Sequence, residues 1–517
     1  MSRPSTATRL EPPAEAFARA RVHAASVEAT MRGVDMTRKS HTDLEHFMDA
    51  QGREWARLML EDHLALRAEL EKTVDVVGAD GVERTAQRAS ERHLETILGT
   101  VAVPRKAYQA PGSKDLHPMD ASLSLPTELF SHGVRRMVAR EVSRASFDDV
   151  VEMVEDYKGA KIAKRQVEEL AVRAAQDFDA FYAQRPALDP SEELLVLSTD
   201  AKGIVMRQED LREATKKKAA EKVNKLETRL TPGEKSNRKR MAQVAAVYSV
   251  ERWKRKPADV LHVLRAPETE KNRPRPRNKR VWASVEKTPR AVIRSMFEEA
   301  LRQDPEKVRR WVVLVDGEPK QLRAVKDEAR RAGVQVTLIL DVVHVMEYVW
   351  KAARALFGAS TPDAEKWVTR RLLELFTGKT GGAISRTIRW WAERRDLDDA
   401  ARKAIATACG YLSDRARTRL MHYAGALEEG LPIATGVIEG ACRYVVKDRM
   451  DRTGARWSLT GAEAVLRLRA VRASGDFDAY WEFHLAQEYA RTHVAKYAEG
   501  VVPDPLPPPK TSLRRIK

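Results

Sequence analysis

Cysteine is almost absent from this 517-residue chain, which carries only Cys409 and Cys442. Two thiols cannot build a disulfide framework or a cysteine-ligated zinc site, and such low usage fits a reducing compartment. Long apolar runs are missing too. Nothing approaches the roughly 18 consecutive apolar residues that a membrane-crossing helix needs, and the opening MSRPSTATRLEPPAEAF has no apolar signal core. No membrane partner is therefore expected, and the expected setting is the cytoplasm. No internal repeat is evident. Acid is in deficit, with 75 Asp and Glu against 92 Lys and Arg, a net charge of +17. An excess of cations attracts nucleic acid, because Lys and Arg displace the counterions condensed on phosphates. A basic surface that merely keeps the protein dissolved is the alternative.

Apolar residues are plentiful at 43%. That excludes a disordered polyelectrolyte, and the length predicts two to four domains. Residues 1–93 read as a charged, mostly helical arm suited to oligomerisation, as in LEHFMDAQGREWARLMLEDHLALRAELEKTV. Residues 94–188 read as a DNA-binding region. It opens with β-like alternation around Gly99 in LETILGTVAVPRKAYQ and continues with SFDDVVEMVEDYKGAKIAKRQVEELAVRAA (146–175). There Val150, Val151 and Val154 stand at helical spacing before a Tyr157–Lys158–Gly159 break, and a second helix carries Ile162, Val167 and Leu170. Two short helices about a glycine turn suit a helix-turn-helix. An ordinary helical hairpin fits as well, and Glu168 and Glu169 argue against that face lying on DNA.

Strand patterns dominate after residue 189. LLVLSTDAKGIVMR (194–207) predicts a strand that turns at Lys202–Gly203, and 241–253 and 258–265 predict two more. PRAVIRSMFEEALRQ predicts an amphipathic helix, WVVLVDGEP (311–319) a buried strand, PKQLRAVKDEARRAG a helix, and VQVTLILD (334–341) a last strand. Three strands at hairpin spacing, then helix, strand, helix and strand, is the order of a ribonuclease-H-like α/β fold. The core would occupy 189–346, and a helical insertion carrying Trp350, Trp367, Trp390 and Trp391 would fill 347–430. The core would resume over 431–490, ahead of a basic, proline-rich tail at 491–517.

Two acids close buried-type strands: Asp200 ends LLVLSTD, and Asp316 ends WVVLVD just before Gly317. A strand fixes the backbone under such a carboxylate, and the side chain leaves the sheet where α/β proteins bind ligands. In the fold order above the first and fourth strands are neighbours, so the two acids are expected to meet. Like charges repel unless a cation lies between them, and hard oxygen ligands select Mg²⁺ or Mn²⁺. A third carboxylate completes a two-ion site for in-line phosphoryl displacement. The candidate is Glu439, in ATGVIEGACRYVVKDRMDRTGARWS (434–458). Thr435 can cap a helix whose apolar stripe is Val437, Ile438, Ala441, Cys442, Val445 and Val446. Arg443 and Lys447 follow Glu439 at one- and two-turn spacing. Simpler readings stay open: each Asp as a turn former, and Glu439–Arg443 as a surface pair.

Together STDAKG, VLVDGE, DVVHVMEY and GVIEGACRYVVKDRMDRTGARWS resemble the DDE transposases of bacterial insertion sequences, nearest to the ISKra-type group, over roughly residues 90–485. The resemblance implies a ribonuclease-H-like catalytic domain with Asp200, Asp316 and Glu439 as catalytic and metal-binding triad, holding two Mg²⁺ or Mn²⁺ ions. It implies cutting of element ends and joining to target double-stranded DNA by a bacterial, nucleoid-associated homodimer or higher oligomer. Asp341 and His344 of DVVH match an acid, two residues, then histidine found in Mutator-like relatives, which implies a supporting role behind the triad. Without the resemblance His344 reads as a core or surface histidine. In one respect the chain departs from its relatives: many carry cysteines after the β-like segment, whereas AYQAPGSKD has none. Two rival classes are a domesticated or regulatory DNA-binding protein and a ribonuclease-H-like nuclease specific for nucleic-acid structure.

Basic segments flank the strand that carries Asp200. Residues 216–240 hold ten bases against three acids, and KNRPRPRNKR (271–280) holds six bases and no acid. They read as phosphate-contacting flaps or as solvated loops. In the last block Arg443, Lys447, Arg449, Arg452 and Arg456 are candidate DNA contacts. Trp457 is a candidate to stack on an unpaired base, with Trp390 and Trp391 as further candidates and packing as the alternative.

Overall fold

The computed structural model of the chain describes residues 16–158, 161–188, 193–220, 238–265, 273–359, 361–434, 436–452 and 454–507. Two compact units emerge, Met1–Asp177 with Asp478–Lys517, and Phe178–Phe477. The architecture is mixed α/β with a helical N-terminal region. No helix among the described residues is long and apolar enough to cross a membrane.

In the first unit the helix His41–Glu69 starts at Ser40, whose hydroxyl accepts from the Asp43 amide at 3.2 Å. Arg19 of the helix Ala18–Met31 reaches its Asp62 at 2.7 Å. A hairpin follows, in which β1 (Ala86–Thr96) and β2 (Gly99–Gln109) pair antiparallel from Ala86↔Gln109 to Thr96↔Gly99. Residues 86–93, expected from sequence to be helical, are thus strand. They are charged and mostly exposed, so no apolar alternation marks them. Their conformation comes from pairing with β2, which buries Val101, Val103, Ala107 and Tyr108.

The helices Phe147–Lys158 and Lys164–Ala175 form and bury Val150, Val154, Val167 and Leu170, but Val151 is only half-buried and Ile162, expected on the second helix, is buried just ahead of it. Gly159 lies outside the described residues. The chain returns to this unit in the helix Phe477–Thr492. His484 there donates from Nδ1 to Asp177 Oδ2 at 2.7 Å and meets buried Arg135 through Nε2 at 3.2 Å, while Glu488 meets Arg135 at 3.3 Å. Residues 478–490 therefore group with this unit and not with the core segment to which their sequence position assigns them.

The second unit is built on a five-stranded mixed sheet of β3 (Leu194–Val205), β4 (Lys239–Val250), β5 (Arg277–Ser284), β6 (Trp311–Val315) and β7 (Val336–Leu340), in the order β5-β4-β3-β6-β7. The first three are antiparallel, and β6 and β7 run parallel to β3. Every residue of β6 is buried, as expected of a parallel strand covered on both faces. The two flanking helices are those the pattern predicts. Pro289–Gln303 is capped by Thr288 and buries Val292, Ile293, Met296 and Phe297, and Pro319–Ala332 is capped by Glu318 and ended by Gly333 at φ +64°.

Three local expectations are corrected. β3 does not turn at Lys202–Gly203: it continues to Val205, paired with β4 throughout. Residues 258–265 form the helix Pro257–Arg265, not a strand. The third strand is instead β5, cut from the end of the basic segment 271–280. Its Arg280 is buried because Glu299 pairs with it at 2.9 Å and the rings of Tyr182 and Trp282 lie against it. After β7 comes a run of helices, Val342–Phe357, Pro362–Phe376, Gly381–Ala392, Asp399–Arg417 and Tyr423–Glu428.

Candidate active site

Three strands bring acids to one level of the sheet. β3 and β6 run in register from Leu195↔Trp311 to Ser198↔Leu314. The same offset two residues further sets Asp200 beside Asp316. β6 and β7 run in register to Val315↔Leu340, which sets Asp341 beside Asp316 in turn. Asp200 does not end its strand. It stands just past the last β3–β6 pair, Ser198↔Leu314, where β3 runs on paired only with β4, so the departure of β6 leaves that edge of β3 uncovered.

β6 stops for a local reason. Asp316 accepts from the Glu318 amide at 2.7 Å, and Gly317 takes φ +84°. A Cβ on Gly317 would stand 2.7 Å from Arg415 Nε and 2.9 Å from Leu340 Cδ1, so both conformation and space demand glycine. Gln321 then ties the two strand ends together: its Nε2 donates to the Thr199 carbonyl at 3.2 Å, and its Oε1 accepts from the Asp316 amide at 3.2 Å. Tyr411 of the inserted helices donates to the Asp316 carbonyl at 3.2 Å and stacks on Tyr348 with centroids 3.8 Å apart.

Glu439 approaches from the helix Gly436–Ala441; Thr435, its expected cap, lies outside the described residues. Ile438, Ala441, Cys442, Val445 and Val446 are buried as the stripe predicts, while Val437 is only half-buried. The Glu439 side chain reaches solvent, yet its carboxyl is held above the usual carboxylate range. Partial desolvation is the first cause, followed by the negative charges of Asp341, Asp200 and Glu347, with His344 pulling the other way. One field therefore joins acids from β3, from the end of β7 and from this helix.

Past Ala441 the helix widens into a π-helical turn over Cys442–Lys447, a form common at functional sites. Cys442 Sγ donates to Asp200 Oδ2 at 3.2 Å. Burial, and then the charge of Asp200, push the thiol far above its ordinary value, so Cys442 is a neutral donor that orients the carboxylate. Arg469 supports the widened turn: Nε donates to the Val445 carbonyl at 2.7 Å, and Nη2 to that of Tyr444. Burial draws this guanidinium down to about 10.

Asp341 is buried and caps the helix Val342–Phe357, accepting from the Val343 amide at 2.9 Å. His344 lies one turn in and faces Glu439 electrostatically. The basic run divides. Arg443, Lys447, Arg452 and Arg456 are exposed, with Arg443 3.6 Å from Asp448. Arg449 and Trp457 are corrected from DNA contacts to packing residues, since both are buried, with the guanidinium 4.7 Å over the indole and Trp457 Nε1 donating to the Met450 carbonyl at 3.0 Å. The RTGARWS segment is also latched to the far end of β3, through Arg207 N to Trp457 O at 2.8 Å and Trp457 N to Val205 O at 3.1 Å. Most of the expected basic flap, 221–237, lies outside the described residues.

A cleft of about 580 Å³ opens on the acid pair, lined by Asp200, Asp316 and Gln321 together with Arg290, Lys320 and Arg323. Gln321, Cys442, Tyr411 and Arg469 were not singled out from sequence. Gln321, five residues after Asp316 in the first turn of a helix, and Cys442, three residues after Glu439, stood near enough to a candidate acid to be found that way. No protein-family model matches the chain, and no curated protein matches it at a significant level. Among the described residues, no group of three or more His, Cys, Asp or Glu is gathered tightly enough to hold a metal ion. The donors that Asp200, Asp316 and Glu439 offer are carboxylate oxygens, the type that a hard divalent cation takes.

Proposed function

We propose that the chain is a DNA strand-cleaving and strand-joining enzyme, a transposase with a ribonuclease-H-like core and a triad of Asp200, Asp316 and Glu439. The observation that carries the reading is the level placement of Asp200 on β3 and of Asp316 just after the adjacent parallel strand β6, with the negative charge of Asp200 also acting on Glu439 of the helix Gly436–Ala441. The sheet order, third-second-first-fourth-fifth with the first three antiparallel, supports the same fold.

Asp200, Asp316 and Glu439 would hold Mg²⁺ or Mn²⁺, whose chemistry is to offset phosphate charge and to activate the attacking and leaving oxygens. Cys442 keeps one Asp200 oxygen oriented, Gln321 keeps the two Asp backbones together, and Glu439 orients the nucleophile. In cutting, the oxygen of water bonds to phosphorus as the P–O3′ bond breaks, which leaves a 5′-phosphate and a 3′-hydroxyl. In joining, that 3′-hydroxyl attacks a target phosphodiester and a new 3′-hydroxyl is released. The proton of the attacking oxygen passes to solvent, and no protein–DNA bond forms. Arg443, Lys447, Arg452 and Arg456 hold the DNA backbone and carry no sequence information. Two ends must be handled together, so two copies of the chain are expected to act at once.

The test is Mg²⁺- or Mn²⁺-dependent cleavage of DNA carrying the flanking ends of the encoding element, wild type beside Glu439→Gln. Cutting at the end junction that disappears in the variant while DNA binding persists is the expected result. Binding without cutting by either protein would point to a regulator, and cutting of branched or hybrid substrates regardless of end sequence to a structure-specific nuclease.

A further inference from the structure

A second cleft, of about 840 Å³, is bordered by the start of the Glu439 helix and plays no part in the scheme above. Gly436 and Val437, at the start of that helix, form part of its wall. Tyr248 of β4 also borders it. Glu439 follows Val437 by two residues on the same helix, so the cleft adjoins that acid.

Its chemistry is basic and aromatic. Arg273 and Arg275 are exposed along its rim, and Lys279 sits 5.5 Å from the centroid of Tyr444. Trp253 forms another wall, fixed by its amide donating to the Gly430 carbonyl at 2.9 Å and by the Arg255 guanidinium 5.0 Å from its ring. Glu251, the acid in the lining, is paired with Arg277 at 2.8 Å. Pro274 and Pro276 alternate with the arginines. Proline offers no backbone N–H, so this stretch cannot extend the edge strand β5 and leaves its cations free to face the cleft.

Alternating cations track a phosphate backbone, and aromatic faces inside a cleft are of use only to bases that are not stacked in a duplex. We propose that this cleft binds an unpaired segment of the DNA strand next to the acid group, with phosphates on Arg273, Arg275 and Lys279 and a base against Trp253 and Tyr444. The inference rests on the DNA strand-processing reading and adds a single-strand subsite to it.

The experiment uses the full-length protein in EDTA, so that nothing is cut. A single-stranded oligonucleotide containing 2-aminopurine and a duplex of the same sequence are titrated separately. Wild type is expected to quench the 2-aminopurine on binding. Trp253→Ala is expected to lose the quench and to bind the single strand about tenfold more weakly, and Trp253→Phe to restore part of both. Arg273→Glu with Arg275→Glu, two exposed positions, is expected to weaken single-strand binding about tenfold or more. It should also reduce the salt slope by about 1.4, two phosphate contacts at roughly 0.7 each, with a much smaller loss on the duplex. Unchanged single-strand binding in these variants, or equal losses on single strand and duplex, would overturn the proposal. Cleavage with Mg²⁺ is measured on the same proteins. A wild type that cuts no DNA while the variants show the single-strand losses removes the nuclease reading and keeps the cleft, and a wild type that cuts while the variants bind as it does keeps the nuclease reading and removes the cleft.

Discussion

Replacing Trp457 with alanine is expected to destabilise the sheet-containing unit before it alters DNA chemistry. The indole is 5% exposed, its Nε1 donates to the Met450 carbonyl at 3.0 Å, and the buried Arg449 guanidinium lies 4.7 Å over it. Removing a buried tryptophan costs about 3–5 kcal/mol, and here it also strips Arg449 of its ring. At roughly 2–4 °C per kcal/mol the melting midpoint falls by about 6–20 °C, toward the lower end because the unit Phe178–Phe477 is larger than the domains for which that slope holds. Trp457→Phe keeps most of the ring and loses only the donor to Met450, a cost of about 1–3 kcal/mol for the unsatisfied carbonyl, so its midpoint should lie between the two. The assay is a calorimetric melt beside DNA binding measured well below the transition. If Trp457→Ala melts with wild type and only DNA binding is lost, the packing argument is wrong and the indole is available to stack on a base.

Glu439→Gln is expected to raise the melting midpoint at neutral pH in EDTA. A raised carboxyl pKa means that the folded state holds the proton more tightly, so ionisation costs the folded state above that pKa and the cost vanishes below about 4.3, where both states are protonated. A variant less stable than wild type at pH 7, or a gain that survives in acid, would refute this. Gly317→Ala combines φ +84° with a Cβ 2.7 Å from Arg415 Nε and should cost about 1–3 kcal/mol while lowering cleavage through Asp316. A melt like that of wild type would show that the turn yields. Both thiols are buried and Cys442 is held neutral, so a disulfide reagent should label neither until urea unfolds the protein; rapid labelling of Cys442 would place Asp200 in a more open setting than described.

Much of the second unit could be read from residue order. The apolar run of β6, the Thr288–Pro289 and Glu318–Pro319 helix starts, and Gly333 as a helix stop are local signals, and they yield local structure. ADVLHVLR misled because a short apolar run satisfies helical and strand spacing alike. The deciding cue was Pro257 in the first turn, with Asp259 accepting from the Lys256 amide at 3.0 Å. β5 was hidden by its charges, since nothing local says that Arg280 will find Glu299 and two aromatic rings.

The positions of Asp200 and Asp316 after buried-type apolar runs, and of Glu439 beside an apolar helical stripe, were determined by the sequence alone, because backbone geometry and burial follow short-range pattern. Tertiary structure decided which charges are available. Arg449, one position in a run of bases, is buried over Trp457, while Arg443 two turns earlier stays in water. It also brought Cys442 to Asp200 across 242 residues of chain. A buried ion or polar group is stable only with a partner at hydrogen-bonding distance, and that partner comes from any part of the fold.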